Sequence, residues 1–438
     1  MKSKTGQLQR DVGLWGVITL GAGTAIGVSI FSILQPTAEV AGSGLLAAIV
    51  IAVVPMILFA ISYAYLASVD PVSGASYEWP SRYIHPSVGF LIAWMRIISN
   101  VGAITILAQV MVSYLGMIMP IPLKPAMAVA ITLVFGLNFF GVSVAARAQS
   151  ILMLVLLAVL AIFVVSGIGS VDLARVGNPL AGGVLPVLAV VPLLISLFLG
   201  IESAVEIGEE VRNPGRNIPL GIALACLLAA VVYGLVAFTA LGLLGAPALG
   251  ASKAPLLDAA RVTLGSFAVP LIVGAATVSI LKSMNAAAMV FSRSLFAMGR
   301  DGALPTVFSA VHPRFATPHM AILLGYICAM SGLLLPESLI FLLLAVNVPT
   351  MIKYMACSLC AARVAWERPD LHARSSLRFS PALVQAISLA GALAALSIAA
   401  FGIEADARPY LLVGGWFLIG LAYWFVRGRR HVNVVPAA

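Results

Sequence analysis

The chain has 438 residues, of which 61% are hydrophobic and only 9% charged, with a formal charge of +9. A water-soluble domain is about 25% charged, so this composition cannot cover an aqueous surface and reads as a membrane protein. The basic excess is scattered through short gaps between apolar runs and forms no single patch, which argues against a nucleic-acid partner and for membrane-flanking loops.

A membrane helix needs about 20 mostly apolar residues. Twelve segments are predicted to span, at residues 12–36, 41–67, 86–115, 125–142, 148–169, 183–207, 218–245, 266–298, 318–335, 337–362, 381–402 and 409–427. No soluble domain fits in the gaps. The polar, basic start from Met1 to Arg10 precedes an apolar run without a small-residue cleavage site, so segment one reads as a retained span rather than a signal peptide. Cys226, Cys328, Cys357 and Cys360 all sit in apolar runs. The C-x-x-C spacing of the last two lacks polar neighbours and reads as helix packing, not as a redox or metal site. Twelve spans put both termini on one side. Seventeen of the 25 Lys and Arg fall on that side, five on the other, and Arg96, Lys282 and Lys353 lie within spans. The positive-inside rule therefore places both termini in the cytoplasm, with the chain in the cell (inner) membrane.

Segment one contains Gly21-Ala22-Gly23-Thr24-Ala25-Ile26-Gly27. Glycine in a helix interior costs about 1 kcal/mol relative to alanine, so the cluster either unwinds or serves close helix packing. Segment six, Ser196-Leu197-Phe198-Leu199-Gly200-Ile201-Glu202-Ser203-Ala204-Val205-Glu206, is interrupted by a glycine and a carboxylate. The two segments hold the same place in successive halves of five, and paired interruptions of this kind point to a transporter binding site. Freed amides can hold a carboxylate and freed carbonyls an ammonium, which suits an amino acid.

Three stretches carry a family resemblance. Gly27-Val28-Ser29-Ile30-Phe31 resembles the G-S-G-I-F element in the first helix of the amino acid–polyamine–organocation (APC) superfamily. Phe198-Leu199-Gly200-Ile201-Glu202, followed by Glu210-Val211-Arg212-Asn213-Pro214-Gly215-Arg216-Asn217-Ile218-Pro219, resembles its sixth helix and following loop. Ser292-Arg293 with Ala297-Met298-Gly299-Arg300-Asp301-Gly302-Ala303-Leu304-Pro305 resembles the end of its eighth helix. The resemblance implies an all-α membrane protein of twelve transmembrane helices. Its fold would be LeuT-type, with a 5+5 inverted repeat (about 12–169 and 183–362) and two additional C-terminal helices (about 381–427), all one transporter domain. It implies substrate contact through the amides of Gly27, Val28 and Ser29 and through the break at Phe198, Gly200 and Ile201, with Gly23 and Thr24 in the adjoining turn. Glu202 matches a sixth-helix glutamate used for gating or proton coupling in some members. The chain departs from the pattern at Val28, whose branched side chain crowds the carboxylate site and disfavours bulky substrates. Ser196 stands where arginine/agmatine antiporters carry an aromatic residue, which argues against that exchange.

A charged side chain at a helix centre costs roughly 2.5–3.5 kcal/mol on insertion scales. Glu202 is the first candidate for proton coupling, against a local backbone cap. Glu206, one turn on, is expected to be solvated, and Glu209 and Glu210 to cluster with Arg212 and Arg216. Ser279, Lys282 and Asn285 recur at three-residue steps and are expected to share one face of segment eight. In the LeuT-type fold the eighth helix faces the first, and sodium-driven members hold a cation between them. The Lys282 ammonium is therefore expected at or near that cation position, with Asn285 beside it, against a static pair with Glu202. Arg96 is expected to snorkel or form a structural ion pair, and Lys353 has no assigned role. The mixed intramembrane charges suit a zwitterion better than a polyamine. No metal cluster, nucleophile constellation or phosphate loop is found, so neither an enzyme nor a cofactor is expected. The reading is a secondary transporter importing amino acids, proton-coupled and sodium-independent, by alternating access. A cationic amino acid or polyamine carrier or exchanger is the alternative, and a channel or membrane sensor a more distant one.

Overall fold

A computed structural model describes residues 10–26, 29–116, 119–195, 197–252, 254–334, 339–401 and 408–428. Gly27, Val28 and Ser196 lie outside the described residues, and of Ser29 only the backbone is described. Among the described residues the chain is helical, with two isolated backbone bridges, Val12 to Val211 and Ser73 to Ile207, and no strand.

In chain order the main helices are α1 (Leu14–Ala25), α2 (Leu34–Ala41), α3 (Leu45–Val69), α4 (Ala75–Tyr83), α5 (Pro86–Leu115), α6 (Leu123–Phe139), α7 (Val142–Ile168) and α8 (Val184–Ile195). There follow α9 (Pro214–Leu244), α10 (Pro255–Leu264), α11 (Ala268–Arg300), α12 (His319–Ser331), α13 (Leu339–Glu367), α14 (Pro381–Phe401) and α15 (Arg408–Tyr423). Among the described residues, seven stretches are long and apolar enough to cross a membrane: Leu34–Val69, Pro86–Val112, Ser143–Ile168, Pro214–Leu244, Pro255–Arg300, Pro381–Ala400 and Arg408–Val426. Leu14–Ala25, Leu123–Phe139 and His319–Leu334 are apolar but shorter. Backbone logic sets the ends. His85 caps α5 by accepting from the Ser87 amide at 3.2 Å, with Pro86 in the first turn, where its missing N–H costs nothing. Asn213 takes a left-handed conformation ahead of Pro214 to start α9.

Two of the expected spans are not continuous helices. Segment one stops at Ala25, resumes as the short helix Ser29–Ser32, and continues as α2. Segment six is helical only to Ile195; turns follow, then single 3-10 turns at Ser203–Glu206 and Gly208–Glu210. The helices α4 and α10 interrupt what the sequence reads as loops, and both are too short to span. The broken α1 packs against α7, α9 and α11, while α5 packs on α11 and α13, and α13 lies along α14. These contacts bring both breaks to the middle of the bundle.

Candidate functional site

The last carbonyls of a helix have no partner within it, and at the end of α1 they are claimed by side chains from α9 and α11. The Lys282 ammonium donates to Ile26 O at 2.7 Å and to Gly23 O at shorter range. Ser279 Oγ donates to Ile26 O at 3.1 Å and Ser283 Oγ to Gly23 O at 3.2 Å. Tyr233 on α9 places its hydroxyl 2.7 Å from Ala25 O and 2.9 Å from Leu197 O, so one phenol joins the first break to the second. Lys282 is fully buried and forms no ion pair among the described residues. Gly23 makes room for this arrangement. A Cβ there would overlap the Gln149 side-chain amide and lie 3.5 Å from Lys282 Cδ.

At the second break Gly200 adopts φ +98°, a left-handed conformation that other residues rarely take, and a Cβ there would strike the Thr24 methyl group. The breaks therefore touch, Thr24 against Gly200. The Gly200 amide donates to the Tyr354 hydroxyl at 3.2 Å. Glu202 is 3% exposed and pairs with Lys353 on α13 at 2.7 Å. The Lys353 ammonium also lies 4.4 Å from the Tyr354 ring centre and 5.7 Å from that of Tyr63, a cation held over aromatic faces. The second oxygen of Glu202 accepts no hydrogen bond among the described residues.

A cavity of about 260 Å³ opens between the two breaks and helices α5, α11 and α13. Its polar wall includes Thr24, Arg96, Asn100, Glu202, Ser203 and Lys353, and its apolar wall Ile106, Leu107, Leu199, Val290 and Val346. Asn100 is 7% exposed and its side-chain NH₂ donates to nothing among the described residues. A buried donor left unpaired costs about 1–3 kcal/mol, so a ligand or water is its natural partner.

Beyond the second break three acids are stapled to the surrounding helices. Glu206 accepts from Arg96 at 2.8 Å and from Ser76 Oγ at short range. Glu209 pairs with Arg300 at 2.8 Å. Glu210 holds a two-point pair with Arg293, at 2.8 and 3.0 Å, with both side chains fully buried. The segment before α1 adds backbone bonds here, from Val12 N to Glu210 O and from Arg212 N to Val12 O. Together these tie the chain after the second break to α5, α11 and the segment before α1.

Several sequence expectations are corrected. Glu206 is not solvated but 2% exposed, because Arg96 reaches it from α5. Glu209 and Glu210 pair with Arg300 and Arg293 of α11, while Arg212 turns to Asp11 and the Arg10 carbonyl. The static Lys282–Glu202 pair, weighed as the alternative for Lys282, does not form, because Glu202 pairs with Lys353. Asn285 does not join Lys282. Its NH₂ donates to Ala145 O and Gln149 Oε1, and its oxygen accepts from Asn138. Each three-residue step rotates the direction by about 60° on a helix of 3.6 residues per turn, so Asn285 points well away from Ser279. Of the predicted substrate contacts, Thr24 and Gly200 line the cavity, and so does Glu202 of the predicted coupling residues. Among the described residues Gly23, Phe198, Ile201 and Lys282 do not. Phe198 packs edge-on against Tyr233, and the Ile201 carbonyl lies against Gly21. Sequence reading missed Tyr233, Asn100 and the Lys353 pairing. Only Lys353 carried a signal, as an intramembrane charge awaiting a partner.

A bundle of long apolar helices, with two broken segments meeting at a buried cavity, defines a multi-pass membrane transporter rather than an enzyme. The amino acid permease family description aligns with residues 16–417, and the chain belongs to that family, within the APC superfamily. It is 34% identical over 317 residues to an uncharacterized transporter of Mycobacterium tuberculosis, covering 72% of this chain and 71% of that protein. A branched-chain amino acid permease of Bacillus subtilis is 25% identical across 97% of this chain and 94% of its own length. A methylthioribose transporter of the same organism is 28% identical across 98% and 96%.

Proposed function

We propose that the protein is a proton-coupled, sodium-independent importer of neutral amino acids. In this reading it works by alternating access in the cytoplasmic membrane, on a LeuT-type 5+5 repeat with two further helices, twelve spans in all and both termini inside. The observation that carries the coupling is the Lys282 ammonium seated on the freed carbonyls of Gly23 and Ile26. A fixed cation there takes the ligands that a mobile sodium ion would need. Loss of its proton removes the charge that bridges α1 to α11, so protonation and the packing of the broken helix are linked.

Charge around the cavity supports a zwitterionic substrate. Lys353 balances Glu202 and Arg96 balances Glu206, so the walls offer no surplus acid for a polyamine. The carbonyls of Gly23, Ala25 and Ile26 are already occupied, which leaves the second break and Glu202 as acceptors for a substrate ammonium. The carboxylate falls to the amides of Gly27, Val28 and Ser29, as the family resemblance implies. The branched-chain permease among the relatives fits this reading.

The test is uptake into liposomes by the purified protein, using labelled amino acids and polyamines with and without an imposed proton gradient. Concentrative uptake of neutral amino acids driven by the gradient is expected. Uptake of putrescine with no transport of neutral amino acids would overturn the substrate class, and gradient-independent exchange the coupling.

A further inference from the structure

A second cavity lies away from the transport site, on the flank of the bundle between α3 and α9. Its volume is about 390 Å³, larger than that of the site cavity, and its lining is almost wholly apolar. Small or recessed residues form the floor, with Ala60 and Cys226 nearly buried, while Ile57, Leu227 and Phe379 stand exposed at the rim. The two helices run antiparallel here: Gly215, at the start of α9, lies against Ser68 O at the end of α3, 3.5 Å from where a Cβ would stand. On α3 the lining runs from Val53 to Ala64 and on α9 from Pro219 to Ala230. At 1.5 Å per residue each wall is about 16 Å long, close to one leaflet of a hydrocarbon core about 30 Å thick.

One end of this groove is basic. Leu377 and Phe379 line it and flank Arg378, and Arg216 lies one turn before Pro219. The Ser68–Ser375 hydrogen bond, 3.0 Å, ties the loop that carries Arg378 to the same end. Arg216 and Arg378 are exposed, and neither forms an ion pair among the described residues. Two neighbouring arginines are committed elsewhere, Arg212 to Asp11 and Arg82 to Asp70 and Glu78. An apolar slot one leaflet deep, ending at two uncommitted arginines, has the shape and charge of a phospholipid site.

We propose that the groove between α3 and α9 binds one anionic phospholipid, with an acyl chain along Ala60 and Ala223 and the headgroup phosphate on Arg216 and Arg378. A bound lipid bridges α3, α9 and the loop between α13 and α14. It therefore holds together helices that pack on both sides of the broken segments.

Native mass spectrometry of the detergent-purified protein, incubated with dioleoyl phosphatidylglycerol or dioleoyl phosphatidylcholine, tests this. The wild type is expected to retain one phosphatidylglycerol in preference to phosphatidylcholine. Each basic residue near an anionic headgroup contributes about a factor of five. The Arg216→Gln/Arg378→Gln double variant should therefore bind phosphatidylglycerol about thirtyfold more weakly and phosphatidylcholine as before. Ala223→Trp, a lipid-facing change that fills the slot, should lose both lipids. Equal retention of the two lipids by the wild type, or retention of phosphatidylglycerol by the double variant at the wild-type level, would overturn the headgroup assignment. Full lipid retention by Ala223→Trp would overturn the groove.

Discussion

The two broken segments meet at Thr24 and Gly200, yet they are built on opposite electrostatic plans. At the first, backbone carbonyls are freed and the protein fills them with its own donors: Lys282, Ser279, Ser283 and Tyr233. At the second, the protein supplies an acid, Glu202, held by Lys353 from across the cavity with one oxygen left open. The first break is thus a closed cation site whose cation is covalently part of α11. The second is a half-satisfied anion site facing the ligand. This division separates coupling from recognition. In the proposed function, Lys282 behind α1 is the group that would respond to protons, and the groups beside Gly200 are those that would meet the substrate.

The sharpest way to break the comparison is at the second site. Removing one partner of a buried ion pair costs about 3–5 kcal/mol, because it leaves the other charge uncompensated. Glu202→Gln and Lys353→Gln should each lower thermal stability in detergent by that order and weaken substrate binding. The double variant should recover much of the stability, because no charge is then left alone. Additive losses in the double-mutant cycle would show that the pair is not coupled.

A milder change tests whether the breaks act as one unit. Tyr233→Phe strips the shared donor from Ala25 O and Leu197 O and should cost about 1–2 kcal/mol of stability. It should also reduce transport without changing which substrates are taken. A selective change in substrate preference would instead place Tyr233 in the ligand site, against the geometry.

The smallest effect concerns the ion-paired region beyond the second break. Outside the spans, the Asp301 carboxyl is pushed up to about 6 by burial and then by the Glu78 charge, with Arg300 pulling the other way. The folded protein therefore favours the protonated acid. That contribution is full below about pH 4, the ordinary carboxylate range, and fades as pH rises through about 6. Asp301→Asn should flatten the fall in thermal stability between those values, and an unchanged slope would remove Asp301 from the account.

Much of this was legible in the sequence, for reasons visible in particular residues. The glycine cluster near the end of α1 and Gly200 with Glu202 after α8 were legible together, because interruptions at the same place in two halves point to paired breaks, although Gly21 and Gly23 themselves lie within α1 and make room for the Ile201 carbonyl and Gln149. The lie of Lys282 against the first segment followed from the order of helices that the family resemblance implies. Partner choice was not legible. Glu206 and Arg96 are 110 positions apart, and Glu202 and Lys353 are 151 apart, so local spacing says nothing of either pair. Tyr233 reads in sequence as one more aromatic on an apolar helix. Its role depends on two carbonyls freed by breaks elsewhere. Asn285 misled because a three-residue repeat drifts around the helix, carrying it to Gln149 and Asn138 instead of the cation site.

The central claim is that Lys282 stands where a mobile cation would otherwise bind and that its proton drives uptake. The direct measurement is accumulation of a labelled neutral amino acid by proteoliposomes under a proton gradient or a sodium gradient, for wild type and Lys282→Gln. Only the proton gradient is expected to drive the wild type. In Lys282→Gln accumulation should fall to simple equilibration while exchange across the membrane persists. Sodium-driven accumulation by the wild type, or undiminished proton-driven accumulation by Lys282→Gln, would contradict it.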